Sequence, residues 1–146
     1  MTKWLFIIAL LTTSASASLV SASSSSPIVI VVGQDNPTPE LSRMQVIDMY
    51  MGKYVAFPNG EIAIPIDIND DSLLRSDFYQ ALVGMSLARV NSYWSRIKFT
   101  GRAKPPIEKS NEQAIIDYIA NTPNAIGYIR KENLTNNLKV IYQFNE

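Results

Sequence analysis

The sequence predicts one α/β domain, built on a mixed sheet of about five strands flanked by helices. Short β-branched or alternating runs are interleaved along the whole chain with stretches whose apolar residues recur at helical spacing. No segment repeats another. Once an N-terminal leader is set aside, about 120 residues remain, enough for one core and too few for two.

The leader is read from the first residues. Lys3 precedes the apolar run 4–11, and Ala15-Ser16-Ala17 follows with small residues in the pattern of a cleavage site. That is the form of a secretory signal peptide over residues 1–17, with cleavage after Ala17 or, as second choice, Ala22. The apolar run is shorter than the roughly 20 residues that span a bilayer, so no membrane span is expected after cleavage. Residues 18–26 read as a Ser-rich disordered leader, because serine buries too little apolar surface to order itself. Residues 27–146 form the domain.

Pro27-Ile28-Val29-Ile30-Val31-Val32 ends in Gly33 and reads as a strand buried on both faces. Thr38-Pro39-Glu40 has the form of an N-cap, a first-turn proline and an acidic first turn. It opens a helix striped by Leu41, Met44, Ile47 and Met51 and stopped by Gly52. Residues 54–57 and 61–67 flank Asn59-Gly60, a hairpin signal, with Pro65 demanding a free side or a bulge in the second strand. Asp70-Asp71-Ser72 caps a helix with Leu74, Phe78, Leu82 and Met85 inward, broken near Gly84. Residues 86–97 continue as a helix carrying Leu87, Val90, Trp94 and Ile97. Residues 99–106 form a loop with one glycine and two prolines. Ser110-Asn111-Glu112-Gln113 resembles a capping box ahead of Ala114, Ile115, Tyr118 and Ile119. The last two strands are 125–129 and 139–144.

Composition removes much chemistry. The chain has no histidine and no cysteine. Ser-His-Asp and Cys-His catalysis, imidazole zinc sites, disulfides and a lipid-modified cysteine are all excluded. With 13 basic and 13 acidic residues scattered along it, the chain gives no basic footprint for nucleic acid. No cofactor or metal is expected.

Several of these pieces together resemble a known family. A helix ending Met49-Tyr50-Met51-Gly52-Lys53, the turn Pro58-Asn59-Gly60, a helix centred on Phe78, Tyr93-Trp94, Phe99-Thr100-Gly101, and Ala125-Ile126-Gly127-Tyr128-Ile129 follow one another as in the second lobe of phosphate-type (PstS-like) periplasmic substrate-binding proteins. The resemblance covers residues 28–130. It implies a three-layer single lobe of a type 2 periplasmic binding protein. It further implies a non-catalytic periplasmic domain that recognises a small anion, phosphate first, or a protein partner. A structural adaptor in a cell-envelope assembly, pairing with an envelope protein or a second copy, is the alternative.

In that family the lobe holds its anion with an arginine followed four residues later by Ser-Gly-Thr at a helix start. Ser72 falls on the serine, Leu73 and Leu74 replace glycine and threonine, and Ile68 stands at the arginine position. Arg75, one turn on, is the nearest cation. The candidate anion site is therefore Ser72 with Arg75, joined by the loop residues Thr100, Gly101 and Arg102, whose hydroxyl, glycine and cation suit an oxyanion or a partner's carboxylate. Against it stand an ordinary helix cap with a solvated arginine, and the negative charge of Asp70 and Asp71.

Other patterns read as ordinary structure. Asp67, Asn69 and Asp71 follow the start of a calcium loop, but Ser72 and Phe78 occupy positions that need glycine and glutamate. Trp94 lies on the apolar stripe of its helix and reads as core. Glu61 and Asp67 read as carboxylates on a solvated strand face, and Asn133-Leu134-Thr135 as an incidental glycosylation acceptor.

Overall fold

The computed structural model describes residues 25–144. The signal peptide and cleavage sites expected above lie outside them. The strands are β1 (Ile28–Gly33), β2 (Ile64–Ile68), β3 (Ile107–Lys109), β4 (Ala125–Arg130) and β5 (Leu138–Gln143); the helices are α1 (Arg43–Tyr50), α2 (Leu73–Val83), α3 (Leu87–Thr100) and α4 (Glu112–Asn121).

The strands form one mixed sheet in the order β3-β2-β4-β1-β5. β1 runs antiparallel to both its neighbours, and β2 runs parallel to β3 and β4. The β-branched run of β1 is thus an interior strand, and Val29 to Val32 are completely buried.

Side-chain alternation assigns the layers. On β4, Gly127 lies under Ile115 and Ile119 of α4, whereas its neighbour Tyr128 reaches Asp67 and the α2 side. Adjacent strand residues face opposite ways, so α4 covers one face and α2 the other. Chain handedness requires this arrangement. The β2-to-β3 crossover through α2 and α3 moves one way across the sheet, and the β3-to-β4 crossover through α4 moves back. Right-handed crossovers must therefore use opposite faces.

The chain departs from its sequence expectations at several ends. The first helix begins after Ser42, not Thr38, because Ser42 and Gln45 form a reciprocal capping box. Residues 38–41 are instead strapped to β5, where the Leu41 amide donates to the Ile141 carbonyl at 2.7 Å and Lys139 Nζ bonds the carbonyls of Asn36 and Thr38. The hairpin at Asn59-Gly60 shrinks to a single bridge between Ala56 and Ile62. Beyond it the Ile64 amide turns to the Asn124 carbonyl and the chain joins the main sheet. α3 continues to Thr100 before Gly101 closes it in the left-handed conformation, three residues past the expected end. Asn111, not Ser110, caps α4. Short β3 departs from the sequence expectation, which places a proline loop up to residue 106 and no strand before the α4 cap; it is three residues long, with Ile107 and Glu108 exposed.

Gly127 is the tightest point of the sheet-helix contact. A Cβ there would lie 2.5 Å from Ile119 Cδ1 and 2.7 Å from Ile115 Cγ2. Gly127→Ala should therefore overpack α4 against the sheet and cost about 1–3 kcal/mol. Urea unfolding checks this, with a fall in midpoint at unchanged slope as the expected result.

Candidate functional site

The parallel strands β2, β3 and β4 end side by side, and the chain leaves β2 and β3 there to enter α2 and α4. In open α/β sheets this carboxyl edge is where ligands are held. Here it is organised around one buried acid.

Asp67, the fourth residue of β2, is only 3% exposed. Its Oδ1 accepts from Tyr128 Oη at 2.5 Å and from the Ile68 amide at 2.8 Å, and its Oδ2 accepts from Tyr79 Oη at 2.8 Å and Arg75 Nε at 3.2 Å. The local sequence explains the convergence. Ser72 caps α2, its Oγ accepting from the Arg75 amide at 3.3 Å, which sets the helix phase. Arg75 and Tyr79 are four residues apart, so they share the face turned to the sheet. Tyr128 approaches from β4, alternating with Gly127. Phe78 stacks on Tyr128 with centroids 3.9 Å apart and planes at 8°, and meets Tyr50 edge-on at 4.8 Å, so the phenol ring is clamped before it bonds.

Burial pushes the Tyr79 and Tyr128 phenols well above their ordinary range, and Asp67 adds to this by its charge and by accepting their protons. Tyr50, buried with its hydroxyl on the carbonyls of Ile66 and Ile126, is raised the same way, by burial first and Asp67 second. For Arg75, burial works against the charged form, but the attraction of Asp67 and the neighbouring tyrosines outweighs it and the guanidinium is held charged.

Only one side of the guanidinium is committed to Asp67. Nη2 donates to Asn91 Oδ1 at 3.2 Å, and Nη1 reaches Asp71 Oδ1 only at 3.9 Å, too far for a hydrogen bond. This outer side borders a cleft of about 190 Å³ whose lining includes Arg75, Asn91, Trp94, Lys98, Pro106 and Glu108. Trp94 is 7% exposed and its indole nitrogen is buried with no hydrogen-bond partner among the described residues. Guanidinium, ammonium and amide donors around so small a space suit a small oxyanion. The carboxylates of Glu108 and Asp67 also line it.

The residues expected from sequence do not all meet here. Ser72 and Arg75 lie one turn apart at the start of α2, as read, but Arg75 is buried at 6% exposure and not solvated. Thr100 and Gly101 are used up in ending α3: the hydroxyl donates to the Ile97 carbonyl at 2.8 Å and the glycine amide to the Lys98 carbonyl at 3.1 Å. Arg102 lines a different cleft, on the other side of Pro105 and Pro106. Asp67 is a correction, since it is not on a solvated face with Glu61, which is exposed. Tyr79, Asn91 and Lys98 were missed. The available signal was an acid set within the apolar run Ile64-Pro65-Ile66-Asp67-Ile68, with Arg75 and Tyr79 at helical spacing beyond it. Among the described residues no group of three or more acidic side chains could hold a metal, and no helix is long and apolar enough to cross a membrane.

No protein-family model and no curated protein matches the chain. Solved structures do match in fold. A phosphate ABC transporter substrate-binding protein from Clostridium perfringens, solved with bound phosphate, superposes with a TM-score of 0.63 at 17% identity. An ABC-type phosphate transport receptor from Vibrio cholerae gives 0.62 at 17%, and PstS from Borrelia burgdorferi 0.57 at 14%. Each comparison covers 80% of this chain but only 44%, 45% and 46% of the respective structure, so the chain spans less than half their length. The fold is that of one lobe of a phosphate-type substrate-binding protein.

Removing one partner of a buried pair strands the other charge. Asp67→Ala should lower stability by about 3–5 kcal/mol in chemical denaturation, leaving Arg75 and two phenols unpaired. The tyrosines give a pH signature. Their folded-state pKa values lie above the unfolded value, so the stabilisation is complete below about pH 10 and declines as pH rises past it. In an ultraviolet alkaline titration Tyr50, Tyr79 and Tyr128 should ionise only together with the loss of near-ultraviolet circular dichroism.

Proposed function

We propose that this chain is a non-catalytic, periplasmic, substrate-binding-protein-like domain that recognises a small oxyanion or a protein partner. The observation that carries the reading is the buried arginine: Arg75 is anchored by Asp67 on one side and presents its other side to a small polar cleft at the carboxyl edge of the parallel strands. A fold shared with proteins described as phosphate receptors supports the same reading.

The anion seat is the outer side of Arg75, with Lys98 and Asn91 as further donors. Ser72 acts at one remove by fixing the turn of α2 that aims Arg75. Thr100, Gly101 and Arg102 stand outside this seat, and Arg102 belongs to the partner-binding side of the reading. The Asp67 oxygens are already engaged by their donors, so this carboxylate is a support for Arg75 and not a base.

Thermal unfolding in a phosphate and sulfate series checks the proposal. A ligand that binds only the folded state stabilises by about 2.7 kcal/mol at a hundred times its Kd, so Tm should climb with anion concentration and not with chloride at matched ionic strength. Arg75→Lys, which keeps a charge for Asp67 but loses the outward N–H groups, should abolish the rise, and Lys98→Ala should reduce it. A flat response of the unaltered protein to every anion would sink the oxyanion reading.

A further inference from the structure

Across Pro105 and Pro106 from the Arg75 cleft lies a second, larger one of about 420 Å³. Its lining is mainly apolar, with Met49, Val55, Ile62, Ile64, Pro106 and Ile107 among the contributors. Ile62 and Ile107 are 74% and 44% exposed, so the apolar lining continues onto the open surface. Arg102 and Lys104 are the charged residues of this lining, both exposed, and no carboxylate of the described residues lines it.

The rim is built deliberately by the local chain. Gly101, in the left-handed conformation, ends α3 and turns the backbone out. The following segment is then pressed onto the end of α1. Gly52 has φ +70°, and a Cβ there would lie 2.8 Å from Trp94 Cη2 and 2.9 Å from Ala103 Cβ. Two consecutive prolines, each with φ fixed by its ring, carry the strap into β3. Arg102 and Lys104 are thereby held beside an apolar surface and not on a loose loop.

We infer that this cleft docks a segment of a partner protein in which apolar side chains alternate with carboxylates. It rests on the partner half of the functional reading above and not on the anion seat. The occupant follows from charge complementarity. Apolar side chains match the isoleucine and proline walls, and carboxylates match two cations whose bonds to them are charge-assisted. A second copy fits poorly, because a two-fold contact of this patch with itself would gather four cations with no carboxylate of the lining to offset them. An inorganic anion would leave the apolar walls wet.

The test uses the purified protein in phosphate-free buffer and three fluorescein-labelled peptides: alternating leucine and glutamate, the same with serine for leucine, and the same with lysine for glutamate. Fluorescence anisotropy should detect binding of the first alone, and ¹⁵N NMR should place the shifted amides at Ile62, Ile64, Ala103 and Ile107. The double variant R102E/K104E and the single variant Ile62→Ser should each weaken binding at least tenfold, with circular dichroism and Tm confirming that these surface changes leave the fold intact. The inference is overturned by no binding of the leucine-glutamate peptide, by equal binding of the lysine or serine peptide, or by unchanged affinity in the variants. Sedimentation showing a dimer that Ile62→Ser dissolves would overturn it in favour of a second copy. The peptide titration does not involve Arg75, so its failure leaves the oxyanion reading standing, and a flat anion series leaves this one standing.

Discussion

The buried carboxylate of Asp67 is the constraint from which the rest of the lobe follows. An acid at 3% exposure costs several kcal/mol to desolvate unless its partners are supplied in good geometry. Those partners come from separate elements. Tyr128 is on β4, Arg75 and Tyr79 are on α2, and the Ile68 amide continues β2 itself. Asn91 of α3 then bonds Arg75. One residue therefore fixes the register of two strands and the phase and approach of two helices, where an apolar side chain of equal size would accept a range of packings. The aromatic cluster of Tyr50, Phe78 and Tyr128 supplies the dispersion and area burial around it, and the hydrogen bonds make that packing directional.

The same device decides which end of the molecule is chemically open. Because β2, β3 and β4 are parallel, their carboxyl ends and the starts of α2 and α4 gather on one edge of the sheet. Asp67 sits there and turns Arg75 outward. At the other edge, the cleft along Gly33 to Pro37 and Asn121 to Asn124 is larger, about 690 Å³, but is lined by backbone turns, amides and the carboxylates of Asp35 and Glu61. Its lining offers amides and a hydroxyl but no cation.

The fold was largely legible because its signals are local and strong. The β1 run, the Ser72 cap, the stripes of α2 and α3, and the closing strands all stand where periodicity and capping put them. What sequence reading missed depends on contacts between distant segments. Ser42 displaced Thr38 as a cap because residues 38–41 are held by β5, a hundred residues away. β3 is three residues long and owes its existence to pairing with β2, not to propensity. Asp67 was read as solvated because alternation with Glu61 is a correct rule for an exposed strand face. It fails here because Glu61 lies in the exposed turn before β2, whereas Asp67 is inside the strand, where Pro65, Ile66 and Ile68 are buried with it. The candidate anion residues fared unevenly for the same reason. Ser72 and Arg75 are linked within one helix turn, whereas Thr100, Gly101 and Arg102 were grouped with them by composition, and the double proline separates them in space.

Pairing with Asp67 also sets how Arg75 can hold anything. Its charge is offset at 3.2 Å, so the outer side offers directed N–H groups with little net positive potential, and Glu108 across the cleft reduces that potential further. Arg102 and Lys104 are the reverse: exposed, unopposed within their cleft, and set in water, where screening acts over about 8 Å at physiological ionic strength. The two clefts thus differ in physical kind: one sets directed N–H groups opposite carboxylates, and the other sets two exposed cations beside apolar area. They are separated by two prolines and by a tryptophan whose far edge packs on Gly52 and whose residue lines the Arg75 cleft. Pro105 and Pro106 are the walls that the two clefts share. The close fit of Trp94 and Ala103 against Gly52 holds the chain beside those prolines in place.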